Sequence, residues 1–216
     1  MPDDGWLVRT NYSISGDPES GNGYARYETA DYIMSQHQGR FCPEDLIEGL
    51  GRSFYNRTLD NDAYLTGDIV YDEDFIARPS TASSICIEGG EIMWVAIGYT
   101  PGSYSVPVWV KAADEIPECL KADKETGKAP AAVFASDIKG HIHHLPRDGK
   151  KYIDMERVRE YFPTLREYEE KSMQQARVLN KRMAAKGFSR EQVASFNAKA
   201  DMMFAQFTAD MKAIMN

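Results

Sequence analysis

The sequence predicts an α+β fold that ends in a helical hairpin, and three observations carry that reading. Two apolar, β-branched runs flank a Glu88-Gly89-Gly90-Glu91 turn in the middle of the chain. A rough three-four apolar spacing sets in near Asp154 and lasts to the end. Before the middle, two shorter helical patterns alternate with connections rich in Gly, Pro and Asp. Period two marks half-buried strands, and period 3.6 marks helices that hide one face. The expected division is an α+β domain over residues 1–150 and C-terminal antiparallel helices over 151–216, packed on that domain or on a partner.

Taken in order, "WLVRTNYSISG" at residues 6–16 opens as a strand at Trp6, Leu7 and Val8 and then meets Arg9, Thr10 and Asn11. "GDPESGNG" at 16–23 has the composition of a loop with several turns. Tyr24, Tyr27, Ala30, Ile33 and Met34 share a helical face, and Gly39 closes that helix. A second helix starts at Pro43, where the missing amide proton is harmless, and runs through Leu46, Ile47, Leu50 and Phe54. Residues 57–74 are polar and acidic and read as a long surface loop.

"TASSICIEGGEIMWVAIG" at 81–98 is the pattern of a β-hairpin, followed by a strand over Tyr104–Lys111 for which Pro101 and Pro107 predict an edge position or an irregular start. Residues 112–149 read as connections with short structure. From Asp154, Tyr161, Leu165, Tyr168, Ala176, Leu179 and Met183 form one helical face, with Pro163 a threatened break. Gly187 ends this helix. Ser189 caps the next, whose apolar side is Val193, Phe196, Ala200, Met203, Phe207, Met211 and Ile214.

Composition narrows the function. The 216 residues carry a net charge of -8, which opposes binding to nucleic-acid phosphates. No apolar run approaches the roughly 20 residues of a membrane span. The first residues are acidic and resemble no signal peptide, so the chain as given reads as cytoplasmic; a signal on an upstream segment would make it periplasmic or secreted. Cys42, Cys86 and Cys119 are an odd number at no metal-ligand spacing and read as reduced structural thiols.

Several constellations have a chemical and a plainer reading. Cys42 before Pro43 sits at a helix start, where the dipole lowers a thiol pKa, and His37 is five residues away; packing or a poor cap is the plainer account. His141 and His143 would share a strand face, but with His144 they lack a third ligand of suitable spacing and read as a turn approach before Pro146. Asn11-Tyr12-Ser13 and Asn56-Arg57-Thr58 match the glycan acceptor pattern, which is short enough to arise by chance. The Gly-x-Gly of "SGNG" reads as a turn rather than a dinucleotide site, and the methionines of the last helices as packing. Asn11 itself is either a functional amide at a strand end or a residue that opens a turn by bonding its own backbone.

"LVRTNYS" followed by "GYARYETA" resembles the second half of a cysteine N-terminal-nucleophile (Ntn) hydrolase of the linear-amide group, which includes choloylglycine hydrolase, acid ceramidase and the penicillin-type acyltransferases. "RPSTASSICIEGGEIMWVAIGYTPGSYSVPVWV" is similar to the hairpin and edge strand of one central sheet in such enzymes. The resemblance covers most of residues 6–180. It implies part of an αββα sandwich, with Asn11 as the oxyanion donor and Arg26 as a support for charge around the nucleophile. It implies hydrolysis of a linear carbon–nitrogen bond in a small amide, with no cofactor and no metal.

The family's nucleophile is an N-terminal Cys whose α-amine serves as base, whereas this chain begins Met1-Pro2-Asp3 and lacks the Arg and Asp that follow that nucleophile. Three explanations fit: a separate front-half polypeptide, a cut coding region, or lost catalysis. The partners implied are a missing N-terminal half, or a self-partner, covering the exposed sheet. The alternative function is a non-catalytic, degenerate half that acts as an oligomerisation or interaction module.

Overall fold

A computed structural model describes residues 5–12, 21, 23–37, 40–71, 75–143, 145–147 and 150–216. The chain forms two compact units, one of residues 1–80 with 143–156, the other of 81–142 with 157–216. Most of the 16–23 loop, the helix-ending Gly39, Ser13 and His144 lie outside the described residues.

In the first unit, residues 6–10 form neither helix nor paired strand and the chain bends at Asn11, with burial alternating along 6–12. The expected opening strand is corrected here: no described strand pairs with this segment, and Leu7 is 61% exposed. Helix α1 (Tyr24–Gln36) follows, burying Thr29 and Ala30. A helical turn opens at Pro43 and widens into a π-helix over Asp45–Leu50, closed by Gly51 N–H on Leu46 O at 2.9 Å. It ends earlier than expected. Phe54 lies beyond it, buried and edge-on to Phe75 at 5.6 Å.

Of residues 57–74, expected as a loop, 72–74 lie outside the described residues and 57–71 carry regular structure. Strands β1 (Tyr55–Asn56) and β2 (Asn61–Asp62) form a small hairpin. Tyr55 Oη and Arg57 Nη1 both donate to Asp60 Oδ1, at 2.6 and 3.1 Å, and Arg57 stacks 4.3 Å above Tyr32. These side chains, which read as polar loop residues, satisfy one another within the turn. A short helix α2 (Ala63–Thr66) and strand β3 (Ile69–Tyr71) complete the stretch. Asn56 is buried with its Oδ1 on Leu59 N–H at 3.2 Å, which removes it as a glycan acceptor.

In the second unit, β4 (Ser83–Glu88), β5 (Ile92–Ile97) and β6 (Val106–Trp109) form an antiparallel sheet in the order β4-β5-β6. The hairpin and the edge position of Pro107 agree with expectation. Val110 N–H donates to Glu91 O at 3.0 Å, so hydrogen-bonded pairs alternate from there and Pro107, opposite Trp94, turns its missing donor away from β5. One face of the sheet buries Trp94, Trp109, Ile92 and Ala96.

The 112–149 stretch holds a helix that its composition hid. Pro130–Ile142 forms α3, burying Phe134, Ala135, Ile138 and Ile142. Gly98 is held at φ +94, where a Cβ would lie 2.7 Å from Ala135 Cβ, so the chain leaving β5 presses directly on α3. In the first unit, β7 (Leu145–Arg147) and β8 (Lys150–Asp154) join β3 in the order β3-β8-β7.

Helix α4 (Met155–Lys186) runs through Pro163 without interruption, and α5 (Arg190–Met215) starts at Ser189, whose Oγ accepts from Gln192 N–H at 3.2 Å. The two are antiparallel, since Tyr168 Oη donates to Asp210 Oδ2 at 2.5 Å while Leu179 and Phe196 line one groove further along. Glu169 is fully buried on α4 and accepts Ser105 N–H at 2.7 Å. No helix among the described residues is long and apolar enough to cross a membrane.

Phe207 packs edge-on to Tyr104, Phe134 and Tyr168. Phe207→Ala therefore leaves a cavity and lowers stability by about 3–5 kcal/mol in chemical denaturation. Burial, and then the bond to Asp210, push the Tyr168 hydroxyl up to about 12. The folded state holds that proton more tightly than the unfolded chain does. Its contribution is whole below about pH 10 and is lost as the pH climbs through about 12. The melting-temperature gap between wild type and Tyr168→Phe consequently narrows over that window; a constant gap counts against the assignment.

Candidate functional site

The segment that carries Asn11 is positioned by its buried-side neighbours. Trp6 Nε1–H donates to Asp31 Oδ1 at 3.0 Å, and the Tyr12 ring lies 5.2 Å from Tyr24 and 5.6 Å from Tyr27. Trp6, Val8, Thr10 and Tyr12 are partly buried, while Leu7, Arg9 and Asn11 project outward. Thr10 Oγ1 donates to Gly23 O at 3.2 Å and accepts Tyr12 N–H at 3.1 Å. One hydroxyl thus bends the chain at Asn11 and ties it to the start of α1.

Arg26, on the first turn of α1, donates through Nη2 to Asn11 Oδ1. A guanidinium has donors only, so the amide must turn its oxygen toward Arg26 and its Nδ2 hydrogens away. Among the described residues nothing accepts from Nδ2. Gly23, at φ +79, makes this approach sterically feasible: any Cβ there would overlap Asn11 Oδ1. The two residues singled out in the sequence, 15 positions apart, are therefore in direct contact.

Beside them is a cavity of about 380 Å³. Ala30, Met34, Leu50 and Ile76 supply its apolar wall, and Arg9, Thr10 and Arg26 its polar rim. Asn11 is exposed and is not one of the lining residues. The arrangement offers an amide donor, a cation and a greasy recess within one small region of the first unit.

No thiol activated for attack accompanies it among the described residues. Cys42 is exposed, but burial and then its bond to Asp45 raise its pKa. Asp45 Oδ2 accepts Cys42 N–H at 2.8 Å, the reciprocal half of a capping box, and lies 3.4 Å from His37 Nδ1. His37 thus faces a carboxylate, and the imagined Cys42–His37 pair is replaced by a helix cap. Cys86 and Cys119 are buried in the second unit, where burial and the nearby Asp201 carboxylate raise the Cys119 thiol well above its ordinary range. His141 sits in the last turn of α3 rather than on a strand, 3.3 Å from Arg157 Nη1. Among the described residues no three metal-ligating side chains cluster.

Sequence reasoning missed Thr10 and Gly23 as positioning residues. The signal was present in a hydroxyl one residue before the amide and in the glycine immediately before a helix.

Gly23→Ala breaks the Arg26–Asn11 contact, and the side-chain amide resonances of Asn11 shift in a ¹H–¹⁵N spectrum as far as they do in Arg26→Met. Cys42, the exposed thiol of the three, alkylates more slowly than free cysteine at the same pH; a rate at or above that of free cysteine would contradict the raised pKa. Comparison with known protein families, curated proteins and solved structures finds no match to this chain.

Proposed function

We propose that this chain contributes the oxyanion-binding half of a hydrolase of linear carbon–nitrogen amide bonds, of the cysteine Ntn type. A Cys thiolate on another polypeptide segment attacks the amide carbonyl carbon, and the carbonyl electrons move onto oxygen. Asn11 Nδ2–H stabilises that oxygen, while Arg26 holds the amide in place and adds positive charge. The intermediate collapses, the amine leaves with a proton from the nucleophile's α-ammonium, and water hydrolyses the thioester. Asn11 and Arg26 carry this chain's share of the work.

One observation supports the reading above all: Arg26 takes Asn11 Oδ1 and leaves the amide hydrogens directed away from it, next to an apolar recess suited to an acyl group. Segment 6–10, with which no described strand pairs, adds to it, because a strand bearing the nucleophile has room to pair there. The second reading, a non-catalytic interaction module, is favoured by the bare isoleucines of β4.

The discriminating feature is an upstream or neighbouring coding segment that begins, once mature, with Cys. Co-expressed with such a segment, the chain releases amine from small N-acyl amides, and Asn11→Ala lowers the rate by about a hundredfold to a thousandfold. Turnover that is unchanged in Asn11→Ala refutes the role given to this amide. If no such segment is encoded, the module reading stands.

A further inference from the structure

Among the described residues, the edges of the two three-stranded sheets are guarded, with one exception. The outer edge of β6 carries Pro107, β7 carries Pro146, and β3 is only three residues long. Prolines and short lengths stop further strands from adding. The β4 edge has six residues, Ser83–Glu88, with no proline, lysine or arginine. Its one charge is drawn aside, because Glu88 Oε2 accepts Trp94 Nε1–H at 3.0 Å. Among the described residues no strand pairs with that edge.

The register identifies which backbone groups are open. Gly98 N–H donates to Ala82 O at 2.8 Å, and Ser83 lies opposite Ile97. Hydrogen-bonded pairs alternate, so Ser84 and Cys86 bond to β5 while Ser83, Ile85 and Ile87 turn N–H and C=O outward. On the sheet face away from Trp94, Ile85 is 57% and Ile87 63% exposed, beside partly exposed Met93, Val95 and Ile97. Donors, acceptors and apolar side chains are thus offered together.

We infer that a second copy of this chain pairs with β4 in antiparallel fashion about a two-fold axis at Cys86. That register sets Ile85 of one copy opposite Ile87 of the other, twice, and these are the residues whose backbone groups point outward. Ser84 falls opposite Glu88, so no like charges meet, and the two Glu88 Cα atoms are separated by about 13 Å along the strand. Centring on Ile85 or Ile87 instead would pair one isoleucine with Ser83 or Gly89, and centring on Glu88 would oppose two carboxylates. Self-complementarity of this kind is what a two-fold interface requires. The result is a continuous six-stranded sheet. It stands on the second unit alone and does not depend on the hydrolase reading.

The test is the mass of the full-length chain in solution over a roughly hundredfold concentration series, read by light scattering, with amide exchange followed at Ile85 and Ile87. The expected mass rises from 24.4 kDa toward twice that value, with both amides gaining protection in step. Ile85→Pro removes an outward N–H without touching the ladder to β5, and Ile87→Lys places a charge on the apolar face. Each is expected to weaken association by about tenfold or more while far-UV circular dichroism is unchanged. Should Ile85→Pro fail to fold, Ile87→Lys decides alone. A monomer at every concentration, with both amides exchanging at a constant rate, overturns the proposal and leaves the edge to a foreign strand. A dimer that Ile87→Lys leaves intact overturns it equally.

Discussion

Because a guanidinium can only donate, Arg26 dictates how the Asn11 amide is turned, and the chemistry open to the first unit follows from that single contact. The contact needs the chain to bend at Asn11, which Thr10 achieves with one hydroxyl bonded on both sides. It also needs the helix start to come close without a side chain in the way, which Gly23 provides. Four residues, Thr10, Asn11, Gly23 and Arg26, are therefore tied together by geometry. Their common effect is to hold an amide donor against the start of α1.

The parts of the fold that were legible are those in which local pattern and tertiary burial agree. Around Glu88-Gly89-Gly90-Glu91, β-branched alternation and turn residues specify the same hairpin that packing requires, and Ser189 marks the start of α5 by the cap it forms. Helix α3 was hidden although Ala131, Phe134, Ala135, Ile138 and Ile142 recur at helical spacing, because the Pro, Gly, Lys and Asp around that stripe read as connections. Its small residues are used for close approach to Gly98 and Gly102, a demand that arises only once the sheet exists. The β1–β2 hairpin was missed for the opposite reason, since its polar side chains serve one another instead of solvent.

At the site, Asn11 and Arg26 could be singled out from the order of short motifs, whereas their contact could not. Spacing along the chain says nothing about whether a loop folds back, and the return here depends on a hydroxyl and a glycine that look ordinary in isolation. Cys42 illustrates the converse. A thiol before a helix start reads as activated, yet desolvation, and then the carboxylate that the third residue of that helix turns back onto Cys42, raise its pKa instead of lowering it. The two three-stranded sheets also treat their boundaries differently, and the unguarded edge lies in the unit that does not hold the amide.

Glu169 joins α4 to the entrance of β6 across 64 positions of sequence, and it does so with a carboxylate wholly withdrawn from water. Such a group is costly to dehydrate before its donors have arrived. Helix docking and completion of the strand are thereby made one cooperative step: a half-assembled second unit would keep this side chain hydrated and hold the long helix away from the sheet.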